Sequence, residues 1–232
     1  MDERIERFGV PTEETWRIFR IMAEFVEGFE ELATIGPAVS IYGSARTTPD
    51  DKYYKLAEQT AGILAKAGFA IITGGGGGTM EAANKGAAQA GGKSIGLNIE
   101  MALEQVPNSY QNLSLHFRYF FCRKVMFLKY ANGFIAFPGG YGTLDEFTEA
   151  IMLIQTLKQA YFPVILMGRD YWSGLVEWME TQMLHKNKYM DPDDLKVFSI
   201  YDDPQKAADV IIDFYKSGGK SGIWEPTGLK KH

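Results

Sequence analysis

The sequence predicts an α/β protein: a mainly parallel sheet with helices on both faces, preceded by an N-terminal helical extension. Three observations predict it. Short β-prone runs alternate with amphipathic stretches from residue 37 to residue 216. Glycine-rich segments follow several of these runs, where such sheets place ligands. A long helical pattern over residues 12–35 stands outside the alternation.

In chain order, Thr12, Glu13, Glu14 and Thr15 supply a helix start just after Pro11. Ile18, Ile21, Met22, Phe25, Phe29 and Leu32 recur at helical spacing, and Gly36-Pro37 stops the pattern. This helix is read as a packing element rather than a catalytic one. Strands are expected at Ala38–Tyr42, Phe69–Thr73, Ser94–Leu97, Gly133–Phe137, Pro163–Met167 and Val197–Ile200, with Leu113–Arg118 as a further candidate. Helices are expected near 51–67, 79–90, 121–131, 143–160, 171–185 and 204–216. Three units follow: the extension 1–36, a ligand-binding domain 37–216 and a loose tail 217–232.

The 232 residues are 46% hydrophobic and 23% charged, which suits a folded globular chain. Lys+Arg 24 against Asp+Glu 29 gives a net charge of −5, which argues against broad non-specific nucleic-acid binding. One cysteine, Cys122, excludes an internal disulfide framework, and the three histidines, His116, His185 and His232, show no metal-ligand spacing. No apolar run reaches the ~20 residues of a membrane span, and the charged stretch 1–10 lacks the apolar core of a secretion signal. The expectation is a cytoplasmic protein with no metal and no membrane or nucleic-acid partner.

Two glycine segments carry the functional signal. Ile71-Ile72-Thr73 leads into Gly74, Gly75, Gly76, Gly77 and Gly78, and Thr79-Met80-Glu81 then begins a helix rich in alanine. Five glycines in a row are costly to order, yet they let backbone N–H groups approach an anion at a helix N-terminus. Ile135-Ala136-Phe137 leads into Pro138-Gly139-Gly140-Tyr141-Gly142-Thr143-Leu144-Asp145-Glu146. Thr143 and Glu146 match a capping box, so a well-capped helix competes with a carboxylate placed beside a phosphate cradle. Gly43-Ser44-Ala45-Arg46 after the first run suits either a nucleotide contact or a surface loop. Neither glycine segment is a Walker loop, because no Lys-Ser or Lys-Thr follows it. A dinucleotide site is only loosely matched, with Glu100 past the third run as its acidic candidate. Arg123 and Lys124 lie inside the apolar stretch from Phe120 to Leu128. Either they snorkel to water, which the residues alone slightly favour, or they face a polar site. Two cations beside Cys122 could also depress its thiol pKa.

Together these segments resemble the LOG family, the cytokinin riboside 5′-monophosphate phosphoribohydrolases once described as lysine decarboxylases. Its hallmark, Pro-Gly-Gly-x-Gly-Thr-x-x-Glu, is met from Pro138 to Glu146. The glycine turn into a Met-containing helix is matched by Gly74 to Ala87, the upstream Arg-Lys pair by Arg123-Lys124, and the Gly-Ser after the first strand by Gly43-Ser44. Phe120-Phe121-Cys122 stands where plant members have Met-His-Gln, and Glu81 departs from their Met-Gly. The chain thus looks more like the broad bacterial branch.

The resemblance implies a Rossmann-like fold and hydrolysis of the N-glycosidic bond of a nucleoside 5′-monophosphate, AMP or an N6-modified AMP, to free base and ribose 5-phosphate. It implies Glu146 and Arg123 as catalytic residues, with no metal or organic cofactor. Substrate contacts would come from Gly43, Ser44, Gly75 to Thr79, Met80, Glu81, Lys124 and Gly139 to Thr143. A homodimer or higher oligomer is implied as well. The two apolar stripes of the helix from 143, Leu144/Phe147/Ile151/Ile154 and Ala150/Leu153/Leu157/Tyr161, point the same way. The rival reading is a protein of the same fold that holds a nucleotide or phosphorylated cofactor without turning it over, as molybdenum-cofactor carriers do.

Overall fold

The computed structural model describes residues 11–100 and 106–219. The elements alternate as the sequence predicts: α1 (Pro11–Leu32), β1 (Ala38–Tyr42), α2 (Lys52–Lys66), β2 (Ala70–Thr73), α3 (Thr79–Gln89), β3 (Ser94–Ile99), β4 (Leu113–Phe117), α4 (Phe120–Lys129), β5 (Ala131–Ala136), α5 (Tyr141–Gln155), β6 (Val164–Met167), α6 (Arg169–Trp178), β7 (Phe198–Tyr201) and α7 (Pro204–Lys216). All but three residues of the expected tail, and the segment 1–10, lie outside the described residues. Two expectations shift. The helix expected over 171–185 is α6 continued by a π-helical stretch, Met179–Lys186, and α5 stops at Gln155 rather than near 160.

All seven strands run parallel, in the order β4-β3-β2-β1-β5-β6-β7. Central strands buried on both faces are mostly apolar, and β1, β2 and β6 are buried throughout, with the hydroxyls of Ser40 and Thr73 donating to the Phe127 carbonyl and to Asn84. The two faces separate cleanly. Val39, Ile41, Ile71, Ile135 and Ile165 pack with Ala57, Ala61, Leu64, Ala83 and Ile211 of α2, α3 and α7. Alternate residues, among them Tyr42, Ile72, Phe134 and Leu166, pack with Leu32, Met126, Phe127, Phe147, Ile154 and Trp172 of α1, α4, α5 and α6. Helix α1 therefore joins the second core through Leu32, with Ile21 and Phe25 half-buried against it, while Trp16, Phe19, Met22 and Val26 stay exposed. No helix among the described residues is long and apolar enough to cross a membrane.

This topology positions the site. The chain steps outward from β1 to β4, then returns to place β5 on the other side of β1. The strand order reverses between β1 and β5, which opens a crevice beyond their carboxyl ends. Gly43-Ser44 follows β1, Pro138-Gly139 follows β5, and the run Gly74–Gly78 follows the neighbouring β2.

Candidate functional site

Three loops meet at the crevice and are tied backbone to backbone. Ser44 N–H donates to the Pro138 carbonyl (3.0 Å), and Thr79 N–H donates to the Ser44 carbonyl (2.9 Å). The loops touch so closely that side chains have no room. A Cβ on Gly139 would lie 2.1 Å from Thr143 Oγ1 and 3.0 Å from the Ser44 nitrogen. Gly78 has φ +65°, and a Cβ there would meet the Ser44 carbonyl oxygen at 2.3 Å. Gly78→Ala therefore strains the backbone and drives the first and second loops apart. It is expected to destabilise the protein by on the order of 1–3 kcal/mol, read by denaturant titration alongside circular dichroism.

Helix α5 begins at Tyr141 with Gly140 as its N-cap, and no side chain caps it. Thr143 is thus the third residue of the helix and cannot form a capping box with Glu146, which corrects that expectation. Gly140, Tyr141 and Gly142 are not buried, and Tyr141 is almost fully exposed, so the helix N-terminus faces solvent. Tyr171 at the start of α6 braces this turn by donating its hydroxyl hydrogen to the Gly139 carbonyl (2.6 Å). A strand followed by glycines and a free helix N-terminus is the geometry that receives a phosphate.

One turn along α5, Glu146 is 3% exposed and faces Arg123 of α4. Its Oε1 lies 3.7 Å from Arg123 Nη2, and the Arg123 side chain is 13% exposed. The guanidinium rests over the rings of Phe120 and Phe127, at 5.1 and 5.6 Å from their centroids. It also reaches toward the second loop, 3.7 Å from a Cβ placed on Gly74. Arg123 accordingly faces a polar site instead of snorkelling to water, because the apolar neighbours one turn away on α4 are the surface it lies on. Lys124 bonds Asp145 (2.9 Å) and approaches Glu149 (3.3 Å), two further carboxylates of α5 beside Glu146. Burial pulls the Lys124 pKa down, but the Asp145 hydrogen bond and the charges of Glu149 and Glu146 outweigh it and leave the pKa raised. Glu81 on α3 accepts a hydrogen bond from the Tyr54 hydroxyl (3.0 Å). Thr79 is fully buried with its hydroxyl 3.1 Å from that of Thr47, and Met80 is half-buried with its sulfur against Gly74.

Burial is the dominant force on Glu146. It lifts the carboxyl pKa from an ordinary 4.5 to about 7, against the opposing pull of Arg123 and Lys124. The folded state therefore holds a proton that the unfolded state releases between pH 4.5 and 7. This contribution to stability is complete below the unfolded value and is lost as pH rises through the folded one. Unfolding at pH 8 is thus expected to cost less than at pH 5.5, by on the order of 2–3 kcal/mol from this group. Glu146→Gln should abolish that difference, which denaturant titrations of both proteins at the two pH values measure.

Sequence reasoning missed several members of the site. Tyr42 at the end of β1 is stacked on Phe134 (4.6 Å) and packed on Phe127 (4.7 Å). Burial, then the Glu146 charge, hold its phenol well above the ordinary value. The Tyr42 hydroxyl, Arg123 Nε and Glu146 Oε2 are buried without a hydrogen-bond partner among the described residues. Orphans of this kind mark a place where a ligand or water completes the bonding. Asn84, Asn98, Asn108 and Gln111 surround the second loop, and nothing in their spacing announces it. Two minor alternatives from the sequence fall away. Cys122 is buried, and desolvation pushes its thiol up to about 11 instead of the two cations depressing it. Glu100, the acidic candidate of a dinucleotide site, instead pairs with Arg118 at the surface (3.2 Å).

Known proteins match this architecture. A molybdenum cofactor carrier protein from Chlamydomonas reinhardtii superposes with a TM-score of 0.58 at 20% identity, over 78% of this chain and 98% of that one. A molybdenum cofactor binding protein from Rippkaea orientalis superposes with a TM-score of 0.53 at 24% identity, over 78% and 94%. At these identities the likeness concerns the fold. An uncharacterized protein of Archaeoglobus fulgidus is 28% identical over 119 residues, 51% of this chain and 78% of that one. The model of the family described as "Possible lysine decarboxylase" matches residues 80–211. That span is more than half of the chain and includes Arg123, Lys124 and the whole of Pro138–Glu146. With the hallmark seated at the strand-order reversal and its glutamate against the upstream arginine, the chain belongs to this family, the LOG family.

Proposed function

We propose that the protein hydrolyses the N-glycosidic bond of a nucleoside 5′-monophosphate, AMP or an N6-modified AMP, in the cytoplasm and as a homodimer or higher oligomer. The observation that carries this reading is the buried Arg123–Glu146 pair set between two glycine turns. The N–H groups of Gly139 to Thr143 at the start of α5 would hold the 5′-phosphate. Gly43, Ser44, the run Gly75 to Gly78, Thr79, Met80 and Glu81 would lie along the ribose and base. Cleavage of the bond develops positive charge on the ribose ring, and the Glu146 carboxylate would stabilise it and orient the attacking water. A carboxyl with a pKa of about 7 is matched to proton transfer at neutral pH. Arg123 would favour its ionised form and steer the nucleotide. Lys124, engaged with Asp145 and Glu149, would act mainly by fixing the α5 turn that carries Glu146. The phosphate is remote from the broken bond, so its binding energy is free to serve positioning.

A second reading rests on the structural relatives, whose names describe binding and carriage of the molybdenum cofactor. On it, the same cradle holds a phosphorylated ligand that is released unchanged. A carrier has no use for a carboxylate poised near neutrality beside a guanidinium, which favours the enzyme. Incubation with the common nucleoside monophosphates, followed by chromatography, separates the two. Free base together with ribose 5-phosphate supports the hydrolase, and tight binding without base release supports the carrier.

A further inference from the structure

The second glycine turn is held by a residue with no assigned role. The Gly75 carbonyl accepts from the Asn108 backbone N–H (2.8 Å), the Asn108 carboxamide (3.1 Å) and the Gln111 carboxamide (2.8 Å). The same Asn108 Nδ2 lies 2.9 Å from the Gly76 carbonyl and 2.9 Å from Asn84 Oδ1. Asn84 in turn accepts from the Thr73 hydroxyl (2.6 Å) and donates to Ser94 (2.9 Å), so the assembly is anchored in β2, β3 and α3. The two peptide units Gly75–Gly76 and Gly76–Gly77 therefore have their carbonyls fixed toward the segment that precedes β4. In a trans peptide the N–H points opposite to the carbonyl, and the backbone has no cis bond. The Gly76 and Gly77 N–H groups must then face away from Asn108, and Gly77 lies beside the Ala45 carbonyl and Glu81 at the crevice. No hydrogen bond from either N–H is found among the described residues.

We infer that Asn108 is a positioning residue: by fixing the Gly75 and Gly76 carbonyls it aims the Gly76 and Gly77 amides at the bound nucleotide. This rests on the nucleotide reading of the site. Without the carboxamide the Gly75 carbonyl keeps two of its three donors but the Gly76 carbonyl loses the Asn108 bond, so the Gly76–Gly77 peptide can rotate, and an amide that must be oriented on each binding event contributes less affinity. Since the amides touch the ligand in ground and transition state alike, the loss falls on KM and leaves kcat nearly unchanged.

The test uses AMP titrations of Glu146→Gln, expected to bind AMP with slowed turnover, against the double variants Glu146→Gln/Asn108→Ala and Glu146→Gln/Gln111→Ala. Steady-state kinetics of Asn108→Ala and Asn108→Asp and their thermal melts accompany it. Asn108→Ala is expected to weaken AMP binding and raise KM by ~10-fold or more, with kcat within about threefold. Asn108→Asp should be at least as damaging, because a carboxylate cannot donate and repels both carbonyls. Gln111→Ala, which leaves two of the three donors to Gly75 and the Asn108 bond to Gly76, should have a smaller effect in the same direction. Unchanged AMP affinity in the Asn108 variants overturns the inference while leaving the nucleotide reading intact. A fall in kcat equal to the rise in KM, with a matching loss of thermal stability, assigns Asn108 a merely structural role and overturns it too. No AMP binding by the parent protein removes the nucleotide reading and this inference together.

Discussion

Glu146→Gln is expected to lower turnover of AMP by ~10²-fold or more while leaving nucleotide affinity within a few-fold, the scale found when one electrostatic group is removed from an active site. The substitution keeps the shape of the side chain, so α5 keeps its packing, with Phe147 and Ala150 in the core beside it. It removes the buried carboxylate that faces Arg123 between the two glycine turns. A neutral amide neither stabilises a developing cation nor accepts a proton from water, so the loss belongs to kcat. Initial rates of adenine release with saturating and limiting AMP separate the two parameters. Equal rates in the two proteins would remove Glu146 from the chemistry.

Arg123→Met is expected to be at least as severe, a loss of ~10²–10³-fold in kcat/KM at pH 7, by a different route. Methionine fills similar space against Phe120 and Phe127 but carries no charge. Glu146 would keep its burial, which raises its pKa, and lose the largest force that opposes it, the Arg123 charge. In the wild-type protein the ionised fraction of Glu146 grows as pH rises through about 7, so kcat/KM should climb over the same range. In Arg123→Met that limb should move to higher pH, and part of the activity should return in alkaline buffer. Arg123→Lys should restore the limb toward its original position without restoring the full rate, because an ammonium lacks the planar fork. A limb that stays in place in Arg123→Met would show that the guanidinium does not govern Glu146.

Much of the fold is legible because a parallel sheet writes itself plainly in sequence. Strands buried on both faces are apolar at successive positions, as in Ala70-Ile71-Ile72 and Val164-Ile165-Leu166-Met167, and the intervening helices carry their own period. The glycine run is legible for a related reason: Gly75 and Gly78 adopt positive φ, and a Cβ on Gly78 would meet the Ser44 and Ala45 backbone. The side-chain directions are not. Helix α4 turns Arg123 inward and leaves Phe120 and Phe121 exposed, the reverse of what polarity alone suggests, because β1 and α5 leave a polar crevice on that side. Thr143 and Glu146 fit a capping box by spacing, yet the helix starts two residues before Thr143 because Gly140 takes the N-cap place. Asn108 is illegible from sequence for a deeper reason. Its partners Gly75, Gly76 and Asn84 are at least 24 residues away, and only the pairing of β2, β3 and β4 brings them together.

The central claim is spatial: one crevice grips a sugar phosphate between two glycine turns and sets an acid and a guanidinium at the anomeric carbon. A crystal structure of the Glu146→Gln variant with AMP tests it most directly. The account predicts the 5′-phosphate on the N–H groups of Gly139 to Thr143 and the guanidinium of Arg123 against the nucleotide. It also predicts the ribose C1′ within about 3.5 Å of the substituted carboxamide, or of a water that this carboxamide holds. A phosphate bound elsewhere, or a nucleotide whose C1′ points away from residues 123 and 146, would contradict it.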